Sequence, residues 1–172
     1  ELVRDLAVIG VLQLAALGYG LHTLYVARPV ALALEPGRFR VVTANDVPLD
    51  QLPQARPEYR SLPLTGPWIL GTRPTRPEER LASLEQALKG VDIGQRPERW
   101  QPYAESRSQA LADAKPVQLL LQRYPDRRQD LLDRLSAKGL DPARARFLPI
   151  VARGDWVALL DEQGEIVAYA PF

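Results

Sequence analysis

The chain has 172 residues, with 22 lysines and arginines set against 21 aspartates and glutamates, for a formal net charge of +1. The two signs are interspersed, so neither a basic field for nucleic acid nor an acidic tail is present. Cysteine is absent, which excludes disulfides, thiolate metal sites and a cysteine nucleophile without choosing a compartment. Methionine is absent too, even at the first position, and the chain reads as a fragment whose natural N-terminus lies upstream.

Leu6 to Ala27 carries no formally charged residue and is bracketed by Arg4, Asp5 and Arg28. At 1.5 Å per residue, about 20 apolar residues cross a hydrocarbon core of about 30 Å, so residues 1–28 read as a transmembrane segment. A cleaved signal peptide would have a shorter core and a small-residue cleavage site, and a buried soluble helix would show a charged face. Gly10, Gln13, Ala16, Gly20 and Thr23 follow at spacings of three and four and make one stripe of small and polar residues. Helices in lipid associate through such stripes, by close backbone approach and side-chain hydrogen bonds, so these five are the candidate helix-helix contact. His22, the only histidine, lies near the helix end, where a polar tip can snorkel.

Arg28-Pro29 ends the helix, and residues 29–172 have the size of one compact domain. Val30 to Leu34 and Phe39 to Thr43, joined by Pro36-Gly37, predict a hairpin with one strand apolar on both sides and the other half-exposed. Asn45 to Arg60 reads as a surface connection, and Leu62 to Leu70 as a proline-interrupted edge strand. Thr75-Arg76-Pro77-Glu78 has the form of a capping box before a helix whose Leu81, Leu84 and Leu88 face the core, with Gly90 as its stop. Further helices are expected over Tyr103–Ala114, Pro116–Tyr124 and Asp126–Lys138, the last with Leu131, Leu132 and Leu135 inward. Phe147–Ala152, Trp156–Asp161 and Glu165–Ala170 predict a closing meander with Trp156 buried between sheet and helices. The sum is an α+β fold: an N-terminal transmembrane helix, then a soluble domain with antiparallel hairpins at both ends, sharing one sheet covered on one face, and helices between.

No dinucleotide, P-loop, GxSxG or HExxH pattern occurs. Asp155, Asp161, Glu162 and Glu165 sit in and beside hairpin turns, where carboxylates serve the turn rather than catalysis. No catalytic residue, metal ligand or cofactor is assigned, and the chain is read as not an enzyme.

Three stretches carry a resemblance: RDLAVIGVLQLAALGYGLHTLYVARPVALAL running into GRFRVVTANDV, then WQPYAESRSQALADAKPVQLLLQRYP, then FLPIVARGDWVALLDEQGEIVAYAPF. Together they resemble the type IV pilin accessory protein family TfpX/TfpZ along nearly the whole chain. The resemblance implies further membrane helices upstream, a bacterial inner-membrane location, a periplasmic domain and a supporting role in pilin stability or pilus assembly (fimbrium biogenesis). It implies as partner a type IV pilin or the pilus assembly machinery, and no nucleic acid. Charge counting opposes that orientation, because Arg28, Arg38 and Arg40 follow the helix and only Arg4 precedes it. The alternative reading is a membrane-anchored extracytoplasmic sensor or ligand-binding domain, which would need a concave apolar pocket.

Overall fold

The computed structural model describes residues 2–172. Helix α1 spans Leu2–Ala27, none of its residues is buried, and it is long and apolar enough to cross a membrane. Strand β1 (Pro29–Glu35) begins almost where α1 stops and turns at Gly37 into β2 (Arg38–Thr43). Then come β3 (Trp68–Thr72), α2 (Arg80–Leu88), β4 (Trp100–Pro102) and α3 (Arg107–Asp113). The two-residue β5 (Lys115–Pro116) leads into α4 (Gln118–Arg123) and α5 (Arg128–Ala137), and β6 (Arg146–Ala152), β7 (Gly154–Leu160) and β8 (Ile166–Pro171) close the chain. The expected elements thus form, as an α+β domain behind one apolar helix.

All eight strands share one sheet in the order β4-β3-β1-β2-β6-β7-β8, with β5 alongside the start of β6. The two hairpins meet through a parallel β2–β6 pairing, Phe39 opposite Ile150. The predicted strand near Leu62–Leu70 is shifted to Trp68–Thr72 and lies inside the sheet, parallel to β1 and antiparallel to β4. Pro63 and Pro67 fall before it, where a missing N–H costs no ladder bond.

The sheet is covered on both faces, not one. Leu32, Leu34, Phe39, Leu148, Ala158 and Leu160 pack under Tyr103, Ala110 and Ala114 of the α3 region. The alternate residues Phe147, Val157 and Leu159 pack under Leu120, Leu121, Leu131 and Leu135 of α4 and α5, with Leu132 partly buried beside them. Ala31, Ala33, Val42 and Leu70 meet Trp100 and the connection through Val47. This two-sided burial follows from the apolar alternation of β1 and β7, whose odd and even positions are both hydrophobic.

Strand direction gives the sheet a helix end and a far end. Thr43 and Trp68 both sit beside the start of β1, so the 44–67 connection gathers around the base of α1, where Arg28 Nε donates to the Pro63 carbonyl at 3.1 Å. Thr72 and Trp100 pair at the opposite end, so the 73–99 excursion that holds α2 is carried away from α1. There Glu35, only 3% exposed, accepts from Arg38 Nε (2.7 Å), Arg40 Nε (3.0 Å) and the Gly94 amide (3.0 Å). The buried Glu35 carboxylate is thus fully engaged, as a low-dielectric site demands.

α2 corrects the sequence reading. Leu81, Leu84 and Leu88 do not face the core but stand 71%, 57% and 81% exposed. Polar clamps hold the helix instead. The Glu79 carboxylate takes both guanidinium nitrogens of Arg73 at 2.9 Å, Arg99 Nη1 at 3.0 Å and the Arg76 amide at 3.1 Å, so the box closes one residue later than Thr75/Glu78. The buried Arg96 guanidinium donates to Ser83 Oγ and the Ser83 carbonyl at 3.0 Å and to the Val91 carbonyl at 2.7 Å. These bonds fix the helix through its polar side, leaving the leucines outward.

Two predictions follow from these contacts. A Cβ on the buried Gly71 would lie 2.0 Å from Ser106 Oγ and 2.6 Å from Ser106 Cβ, so Gly71→Ala should lower stability by about 1–3 kcal/mol in a urea titration. Hydrogen bonds from Arg73 and then Arg76 push the Glu79 carboxyl down to about 2. A folded pKa below the unfolded one stabilises above the unfolded value and is lost as pH falls through the folded one. Hydrogen exchange, corrected for intrinsic rates, should therefore accelerate in α2 between about pH 4 and 2 while β6–β7 stays protected. Glu79→Gln should give the fast α2 exchange already at neutral pH.

Candidate interaction surfaces

The structure places Gly10, Gln13, Ala16, Gly20 and Thr23 on one side of α1, all unburied, with no atom within 4 Å of a Cβ built at Gly10 or Gly20. Thr23 Oγ1 donates to the Tyr19 carbonyl at 2.9 Å, so its hydroxyl is satisfied within the helix. A shallow concavity over Gly20 is walled by Ala16, Leu17, Thr23 and Leu24, the shape into which a second helix backbone would settle.

At the base, the Arg28 guanidinium lies 4.0 Å from the Tyr25 ring centroid and donates to the Tyr25 carbonyl at 2.6 Å. The Arg28 carbonyl accepts from the Ala44 amide at 3.0 Å. One side chain and its own backbone thereby join the helix end to the 44–67 connection.

A second surface lies on β6 and β7. β6 runs parallel to β2, Trp156 pairs with Ile150 opposite Phe39, and Val151 through Trp156 around the hairpin turn are exposed. Trp156, expected to be buried, is 41% exposed, because α3 covers the part of the sheet nearer Leu160 and stops short of it. Beside it opens a groove of about 600 Å³ lined by Leu119, Tyr124, Phe147, Pro149, Val157 and Phe172, with Lys115, Arg123 and Asp155 among the polar residues of its wall. The Tyr124 and Phe172 rings meet at 5.5 Å between centroids, and Arg123 lies 5.8 Å from the Tyr124 ring. The sequence signal for this groove was the pair of aromatics at the start of β7 and just after β8, Trp156 and Phe172, which the antiparallel pairing brings to the same end, but their exposure depends on how far α3 and α4 reach.

The turn carboxylates serve the turn. Asp161 Oδ1 accepts from the amides of Gln163 at 2.9 Å and Glu165 at 2.8 Å, Glu162 pairs with Arg144 at 3.0 Å, and Glu165 pairs with Arg107. Among the described residues no three histidine, cysteine or acidic groups are placed to hold a metal. Tyr103, whose hydroxyl donates to the Gly164 carbonyl, is raised above the usual phenol range by burial and ties α3 to the closing turn.

The exposure of Trp156 sets an expectation. Trp156→Ala should lower stability by about 1 kcal/mol or less, against about 3–5 kcal/mol for a fully buried large aromatic, as read from the denaturant midpoint of the full chain in detergent. A larger drop would mean that the indole is part of the core.

Two curated proteins of Dichelobacter nodosus are similar along almost the entire chain: the fimbrial assembly protein of serogroup I, 36% identical over 170 residues, and that of serogroup E1, 35% identical over 170 residues. Each alignment covers 96% of this chain and 66% of the relative. The fimbrial assembly protein of serogroups C1 and C2 is 42% identical over 55 residues, 32% of this chain and 42% of that one. No family model and no solved structure matches. The chain is therefore a homologue of these fimbrial assembly proteins along nearly all of its own length, and it spans 66% of the length of the two longer-matching ones.

Proposed function

We propose that this chain, as a homologue of fimbrial assembly proteins, is part of a type IV pilin accessory protein of the TfpX/TfpZ kind. In this reading α1 spans the bacterial inner membrane, the sheet domain stands in the periplasm, and the protein supports pilin stability or pilus assembly through non-covalent contacts. The observation that carries it is the pairing of that homology with a bare apolar helix joined to the first strand of a packed sheet. The Gly10, Gln13, Ala16, Gly20 and Thr23 side of α1 is the contact with another membrane helix, of the same protein or of a pilin held in the bilayer. Its chemistry is packing and hydrogen bonding, and no catalytic role is assigned. The groove beside Trp156, level with Phe39 and so away from the base of α1, is a separate surface on the domain.

Gly20→Leu holds two backbones apart while keeping the helix apolar, so it should reduce surface pilus number, or helix–pilin crosslinking, several-fold at unchanged protein level. Val11→Leu on the opposite side should change neither. Wild-type piliation and crosslinking in both variants would move the functional contact to the domain. Orientation is checked separately by a lone cysteine at the exposed Arg153. A membrane-impermeant thiol reagent should label it in cells whose outer membrane alone is permeabilised, and labelling only after full lysis would place the domain in the cytoplasm.

A further inference from the structure

Helix α2 is inside out. Its half-buried positions are Ser83 and Gln86, continuing from Glu79 at helical spacing, while Leu81, Leu84 and Leu88 point away from the domain. A nine-residue helix that buries none of its residues is marginal alone, yet this one is pinned through Ser83 to the buried Arg96 and through Glu79 to Arg73 and Arg99. The pinning presents an apolar stripe to the outside at fixed geometry. Lipid beside α1 does not reach it, because the seven residues of β1 separate α2 from the helix end by roughly 20 Å of strand.

The charges beside the stripe indicate what does. Leu81, Leu84 and Leu88 fall on the a, d and a positions of a heptad, which puts Arg80 at g and Glu85 at e. Ion pairs in this region run between Arg73, Arg99 and Glu79 and leave Arg80 and Glu85 free among the described residues. In a parallel pair of such helices each g side chain meets the e side chain five residues on in its partner, so Arg80 meets Glu85 of the other helix on both sides of the seam. An antiparallel pair centred on Leu84 would set the two Glu85 side chains beside one another instead.

We infer that α2 is a self-association helix, pairing in parallel with α2 of a second copy of this chain. Three leucines and two ion pairs fall well short of the ~1,200 Å² at the low end of stable soluble interfaces. The pairing therefore rests on the membrane-anchored reading of α1, which raises the effective concentration of one copy near another and points both the same way.

The chain contains no cysteine, so single cysteines report the register directly. Two differently tagged copies of the full chain, each carrying Leu81→Cys, Leu84→Cys or Leu88→Cys, are co-expressed, and washed membranes are oxidised. Same-position disulfide dimers containing both tags should form at all three positions, at least several-fold above Ala82→Cys, which lies off the stripe. Arg80→Glu in the Leu84→Cys background should cut the dimer several-fold, and adding Glu85→Arg should restore it. Dimers at Leu81→Cys and Leu88→Cys no stronger than at Ala82→Cys, disulfide-independent capture of a different protein only, or no restoration by the charge swap would each overturn the inference. Carbonate extraction of the same membranes separates the two readings. Chain retained in the pellet without dimers overturns the pairing alone, whereas chain released into the wash overturns the anchor and the pairing with it.

Discussion

The junction at Arg28 is the constraint on which the rest of the molecule depends. A helix with apolar side chains on every side ends there, and a strand with both faces buried begins one residue later. Arg28 bridges the two, stacking back on Tyr25, donating to the Pro63 carbonyl and accepting from the Ala44 amide. With so short a connection, the direction of β1 is coupled to the direction of α1. Every other strand is joined to β1 directly or through a succession of pairings that leads back to it.

From β1 the construction proceeds outward in both directions. β2 and β3 flank it, one antiparallel and one parallel, and the closing meander is added through the parallel edge of β2. Because β1, β2, β6 and β7 all carry hydrophobic residues at successive positions, helices and loops are needed on both faces to remove that surface from water. Coverage is complete in the middle of the sheet and thins toward two places. One is the β6–β7 hairpin with Trp156, level with Phe39, and the other is α2 at the far end. Both are polar-rimmed apolar surfaces on rigid supports, the usual form of a protein contact. With the bare side of α1 they make three separate exposed apolar surfaces.

The far end shows how a fold can hold a helix without burying it. Arg96 and Arg99 are placed where desolvation opposes their charge, and burial indeed lowers the Arg96 pKa. Carbonyls of Ser83 and Val91 and the Glu79 carboxylate compensate. Breaking one of these partners would leave a buried cation without compensation, which is why the clamp is held as a unit.

The sequence by itself determined the long apolar helix, the turn glycines, the two hairpins and the helical positions of Leu131 and Leu135, because each is a local pattern whose period matches its element. Composition alone shows equally that these residues offer no thiol and that their only histidine is His22, in the apolar helix. Only the tertiary structure decided which amphipathic faces would be used. The Leu81, Leu84, Leu88 spacing is the same whether those residues face a core or solvent, and what turned them outward was the competing polar side, Glu79 and Ser83, which found buried arginines more than ten residues away in sequence or across the strand pair. Trp156 likewise has the pattern of a buried strand residue, and its exposure follows from where α3 ends rather than from any neighbour in the chain. Periodicity fixes the face of an element, but whether that face is covered depends on non-local contacts that a one-dimensional pattern does not contain.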